Sequence, residues 1–85
     1  MNRVLITGGA GFIGSNIAEH FLSRGSDVLV FDNLSRPGGG ARRNIERLLG
    51  GYGGDPKFRF IKGDVRDSES LKEAVDGRSL ILHVA

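Results

Sequence analysis

Val4-Leu5-Ile6-Thr7-Gly8-Gly9-Ala10-Gly11-Phe12-Ile13-Gly14-Ser15 is an apolar run that breaks into glycines and resumes as a helix. A buried strand brings the backbone to Thr7. Glycines at 8, 11 and 14 then let it turn tightly enough for the free N–H groups of the next helix to face outward. A helix N-terminus carries roughly half a positive charge, and without Cβ atoms in the way a pyrophosphate can reach the main chain. The spacing is G-x-x-G-x-x-G in place of G-x-G-x-x-G, so its meaning depends on its surroundings. Glycines that only serve a tight strand-to-helix turn would look the same. Two features favour a dinucleotide. The motif joins a β-type run, Arg3 to Thr7, to a helical one, and an acid, Asp32, ends the next apolar run 18 residues beyond Gly14.

Composition sets the limits. Eighty-five residues make at most one small domain, and burial of only about 60 to 65 per cent of the unfolded surface leaves it marginally stable. There is no cysteine, hence no disulfide or thiolate metal site, and a reducing compartment is compatible. The 14 glycines gather in the opening turn and in residues 38 to 54, and the second cluster reads as loop. Twelve basic and ten acidic side chains leave a charge of +2, a weak attraction for nucleic acid. Arg42, Arg43 and Arg47 form a basic patch without interleaved aromatics, which reads as a solvated helix face. No stretch approaches the ~20 apolar residues of a membrane span, and no signal-peptide core follows Met1. The cytoplasm is the expected compartment.

Along the chain, Arg3 to Thr7 is the first strand, apolar on both faces as a central parallel strand should be. Phe12 to Arg24 is helical, with Ile13, Ile17, Ala18, Phe21 and Leu22 on the apolar stripe, His20 on the polar side and Gly25 as the stop. Val28 to Phe31 is the second strand, with Asp32 at its carboxyl end. A carboxylate there can accept both hydroxyl protons of an adenosine ribose and repels a 2′-phosphate, which favours NAD over NADP. Arg36 pulls the other way, since a phosphorylated cofactor wants an arginine nearby, and a plain turn made with Asn33 is the bland alternative for Asp32.

After Pro37-Gly38-Gly39-Gly40, residues Ala41 to Leu49 predict a short helix presenting Ile45, Leu48 and Leu49. Gly50 to Gly54 predicts a flexible loop holding Tyr52, the single tyrosine. Lys57 to Lys62 is the third strand. Asp67 or Ser68 caps a helix through Val75, with Leu71, Ala74 and Val75 buried, and Gly77 closes it. Leu80 to Ala85 is the fourth strand. Strands alternate with helices, and right-handed crossovers then predict an α/β fold. It is the N-terminal half of a Rossmann-type doubly wound parallel sheet in the order 3-2-1-4, incomplete at the C-terminus. Residues 1–85 would form this partial NAD(P)-binding domain with no second domain. The apolar fourth strand at a sheet edge suggests the beginning of a longer protein, or a piece that must associate.

Four successive segments, Thr7 to Ser15, Phe31-Asp32-Asn33-Leu34-Ser35, Gly63-Asp64-Val65-Arg66-Asp67 and His83-Val84-Ala85, resemble the ordered cofactor motifs of the extended short-chain dehydrogenase/reductases. The branch is that of the NAD-dependent nucleotide-sugar epimerases and dehydratases. Asp32 to Arg36, with Asn44 and Leu48, is most similar to the CDP-tyvelose (CDP-paratose) epimerases within it. The resemblance implies that amides at Phe12 and Ile13, in the turn made by Gly8, Gly11 and Gly14, hold the pyrophosphate. It gives Asp32 the adenosine ribose, and Asn33, Leu34, Ser35 and Arg36 the ribose and adenine edge. It puts Asp64 and Val65 at the adenine, and Val84 and Ala85 on the approach to the nicotinamide. His83 reads as a partly buried structural residue.

The family's Tyr-x-x-x-Lys pair has no counterpart here, because Tyr52 is followed four residues later by Pro56 and Lys57 lies one place too far. No catalytic residue and no metal ligand is assigned, and the chain alone is expected to be inactive. The complete form is expected to act on a nucleotide sugar by transient hydride transfer. A rival from another class is a stand-alone, non-catalytic module that binds nucleotide or pairs with itself through the fourth strand. Neither nucleic acid nor membrane is an expected partner.

Overall fold

A computed structural model describes residues 3–34 and 40–84. The elements follow the order β1 (Arg3–Thr7), α1 (Phe12–Ser23), β2 (Asp27–Asp32), α2 (Gly40–Tyr52), β3 (Phe58–Lys62), α3 (Ser68–Val75) and β4 (Leu80–His83). All strand pairs are parallel, and the sheet order is β3-β2-β1-β4, as expected. Burial follows position in the sheet. The central β1 and β2 are closed to solvent over most of their length, whereas the edge strands β3 and β4 keep most residues open.

Strand alternation divides the core between two faces. Val4, Ile6, Val28 and Val30 pack with Ala18 and Leu22 of α1 and with Ala41, Ile45 and Leu48 of α2. Leu5, Leu29 and Phe31 point the other way and meet Ala74 of α3. Each fully buried aliphatic side chain removes surface worth about 1.5 to 3 kcal/mol from water, so the sheet is held chiefly by its two inner strands.

Several expectations are corrected. Helix α2 runs on through Gly50 and Gly51 to Tyr52, where a loop was expected. Tyr52 packs against the α1–α2 core, and this contact offsets the weak helix propensity of the two glycines. On α1, Ile13 is 64% exposed because the first turn projects beyond the carboxyl ends of the strands. Leu49 and Val75 are also exposed, so the buried stripes of α2 and α3 are narrower than their periodicity suggests. The short α3 buries only Ala74 fully, and Asp67 is its N-cap, accepting from the Glu69 and Ser70 amides. Strand β4 ends at His83, leaving Val84 just outside it.

Candidate functional site

In the order β3-β2-β1-β4 the chain leaves β1 in one direction for β2 and β3 and later returns to β1's other side. Open parallel sheets bind ligands at the carboxyl ends of the strands beside such a reversal. The candidate residues of the described chain gather at that end.

Backbone geometry builds the glycine turn. Gly8 has φ +74°, a conformation costly for side-chain-bearing residues, and its N–H donates to the Phe31 carbonyl at 2.8 Å, fixing the start of the turn to β2. A Cβ on Gly14 would lie 2.6 Å from the Gly8 carbonyl oxygen and 2.7 Å from the Gly9 Cα, so the helix can approach the turn only without a side chain there. Gly11 needs no such freedom. It is the N-cap of α1 in an extended conformation, its N–H donates to the Gly8 carbonyl at 3.2 Å, and its carbonyl accepts from Ser15 at 2.9 Å. The amides of Phe12, Ile13 and Gly14 precede that first helical bond and have no acceptor among the described residues. Phe12 (76% exposed) and Ile13 keep their side chains turned outward, where they line an open hollow with Asn16, Ile17 and His20. Phe12 and Ile13 are thus exposed at the helix start, where their amides, like that of the buried Gly14, sit at the positive end of the helix dipole.

Asp32 has a double engagement that the sequence reading did not foresee. It is buried, one carboxylate oxygen accepts the Ala10 N–H of the glycine turn at 3.0 Å, and the other accepts the Leu34 N–H at 2.8 Å. The second bond is the turn-forming role named as the bland alternative, and the first ties β2 to the glycine turn. A carboxylate offers about four acceptor sites, so the two that remain can still receive hydroxyl donors. Leu34 itself has φ +58°, an uncommon conformation for a residue with a side chain, held by this bond and by packing against the core. Asn33, exposed, lies between them. Ser35, Arg36 and Ala85 lie outside the described residues.

At the end of β3, Asp64 accepts from the Arg66 backbone N–H at 2.9 Å and from its guanidinium at 2.7 to 3.1 Å. The Arg66 side chain and then its backbone amide hold the Asp64 carboxyl well below the usual carboxylate range, at about 2. Val65 beside it is exposed. At the end of β4, His83 is exposed and not partly buried as expected, and its Nδ1 lies 2.5 Å from the Thr7 hydroxyl. Val84 donates its N–H to the Thr7 carbonyl at 2.8 Å. Residues 7, 83 and 84 thus join the two strands that flank the reversal.

The rim thus brings together helix-start amides at α1 with no acceptor among the described residues, the carboxylate of Asp32 and the Arg66-paired carboxylate of Asp64. Among the described residues no group of His, Cys, Asp and Glu could hold a metal ion. None of the described helices is long and apolar enough to cross a membrane.

The family model of GDP-mannose 4,6 dehydratase matches residues 5–85. The chain belongs to this family. CDP-paratose 2-epimerase of Salmonella typhi is 44% identical over 75 residues, which cover 86% of this chain and 20% of that protein. Among solved structures, the Bordetella bronchiseptica enzyme WbmG in complex with NAD superposes with a TM-score of 0.77 at 34% identity, covering 99% of this chain and 24% of that one. UDP-glucuronic acid 4-epimerase of Bacillus cereus in complex with NAD gives 0.81 at 27% identity, over 98% and 26%. This dehydratase-family chain therefore spans about a fifth to a quarter of the length of these three proteins. The expected branch, the nucleotide-sugar epimerases and dehydratases with a Rossmann-type sheet, is the one found.

Proposed function

We propose that the chain holds NAD as the cofactor-binding segment of a nucleotide-sugar epimerase or dehydratase. The observation that carries this is the N-terminus of α1, whose Phe12, Ile13 and Gly14 amides have no acceptor among the described residues, beside a turn closed by Gly8 and Gly14. In this reading those amides, with Gly11, hold the pyrophosphate. Asp32 takes the adenosine ribose, and Asn33, Leu34, Ser35 and Arg36 form the wall beside the ribose and adenine. Asp64 accepts from the adenine amine next to the Val65 main chain, and Val84 and Ala85 border the nicotinamide side. When bound, NAD supplies a hydride acceptor that can oxidise a sugar carbon and return the hydride. This chain's residues bind and orient it. Tyr52, packed at the end of α2, serves the core and not the chemistry. The cytoplasm is the proposed compartment, in keeping with that cofactor and substrate class.

Calorimetric titration of the chain with NAD and NADP tests this reading. The wild-type chain is expected to bind NAD more tightly than NADP, and Asp32→Ala to weaken NAD by about tenfold or more, a loss of ~1.4 kcal/mol or greater. Equal affinities of the two proteins for NAD would remove Asp32 from the site.

A second reading draws on β4, which among the described residues is an edge strand paired with β1, with Leu80 and Ile81 exposed. Such an edge offers unpaired backbone groups to another strand, and a second copy of the chain is the proposed occupant.

A further inference from the structure

The middle of the glycine turn is fixed by side chains from two other elements. Ala10 is fully buried. Its N–H goes to Asp32 of β2, and its carbonyl accepts from the Asn44 side-chain amide of α2 at 2.8 Å, across 34 residues of sequence. Water cannot satisfy a carbonyl in that position, so Asn44 is its hydrogen-bond donor. One turn along the same face of α2, Arg47 reaches the Ser15 hydroxyl at 3.4 Å and pairs with Glu19 of α1. Helix α2 thus braces both the turn and the first turns of α1.

We propose that Asn44 is a positioning residue of the dinucleotide site, holding the Ala10 carbonyl so that the glycine turn keeps the Phe12, Ile13 and Gly14 amides open to a diphosphate. The inference rests on the NAD reading above. Positive φ fixes Gly8, close contact fixes Gly9 and Gly14, and backbone bonds to Gly8 and Ser15 hold Gly11, while Ala10 between them is held by Asp32 and Asn44. With the donor gone, a buried carbonyl lone pair is unsatisfied, and the turn relieves this by rotating the peptide groups that lead into the helix. The diphosphate cradle is lost first, while Asp32 remains in place for the ribose.

Asn44→Leu and Asn44→Asp remove the donor with little change in size. Affinities for NAD, ADP-ribose and adenosine, with the melting temperature, are measured for each variant and for the wild-type chain. The expected result is a loss of about five- to twentyfold for NAD and ADP-ribose, with adenosine changed less than about twofold. Equal losses for all three ligands, following a lowered melting temperature, mark Asn44 as merely structural and overturn the inference, as does no loss at all. A wild-type chain that fails to bind NAD overturns the cofactor reading itself. Should the variants not fold, the Asn44 side-chain amide protons of the wild-type chain report the bond by NMR. Slow exchange with solvent supports it, and exchange at the rate of an exposed asparagine contradicts it.

Discussion

Asp32 serves the fold before it serves any ligand, since both its oxygens already accept backbone amides, from Ala10 and from Leu34. Asp32→Ala leaves two amides without acceptors and is expected to destabilise the chain by about 1 to 3 kcal/mol, measured by urea denaturation. An unchanged midpoint would show that the carboxylate does not staple the turn. Asp64 makes a different prediction. Its carboxyl is lowered to about 2 from the ordinary 3.8, so the stability it contributes is complete above pH 3.8 and is lost as the pH falls towards 2. A carbon-detected NMR titration should find its midpoint near 2, and Arg66→Ala should return it towards 3.8. A wild-type midpoint already near 3.8 would contradict the Arg66 pairing. The acid after the second strand was legible in the sequence because it closes an apolar run. Its grip on Ala10, and Asn44's, were not legible, because each joins residues 22 to 34 positions apart and leaves no local pattern.

Among the elements, the glycine turn is the one that tolerates least. Gly14→Ala places a methyl against backbone that cannot swing aside, 2.6 Å from the Gly8 oxygen, and is expected to cost about 2 to 3 kcal/mol. Gly50→Ala, on the exposed part of α2 with open space around it, is expected to stabilise by about 0.5 to 1 kcal/mol through helix propensity. Paired denaturation curves check both, and a destabilised Gly50→Ala chain would mean that α2 ends before that residue. Alternating apolar runs and capping residues made every strand and helix readable along the chain. The length of α2 was hidden because Gly50-Gly51 looks like a breaker locally, and only Tyr52 packing on the core keeps the helix going. The outward turn of Ile13 and Leu49 was hidden for a related reason, since helical spacing gives a stripe's direction but not how far the sheet extends beneath it.

For the whole molecule, the two edges differ in consequence. β3 carries Arg59 and Lys62, charges that discourage pairing, whereas β4 presents Leu80 and Ile81. Sedimentation velocity over a range of concentrations is expected to show dimer forming as concentration rises, and Ile81→Lys to return it to monomer. A concentration-independent monomer would rule out the β4 contact. The sheet order was legible, since alternating strands and helices with right-handed crossovers leave few arrangements. It brings the carboxyl ends of all four strands to one rim, where the open start of α1 lies between Asp32 and Val84. The most direct test of that rim as a cofactor site is a two-dimensional amide NMR titration of the chain with NAD. Saturable shifts confined to Gly8–Gly14, Asp32–Leu34, Asp64–Val65 and His83–Val84 are predicted, and shifts absent there, or found only along the outer edge of β4, would contradict it.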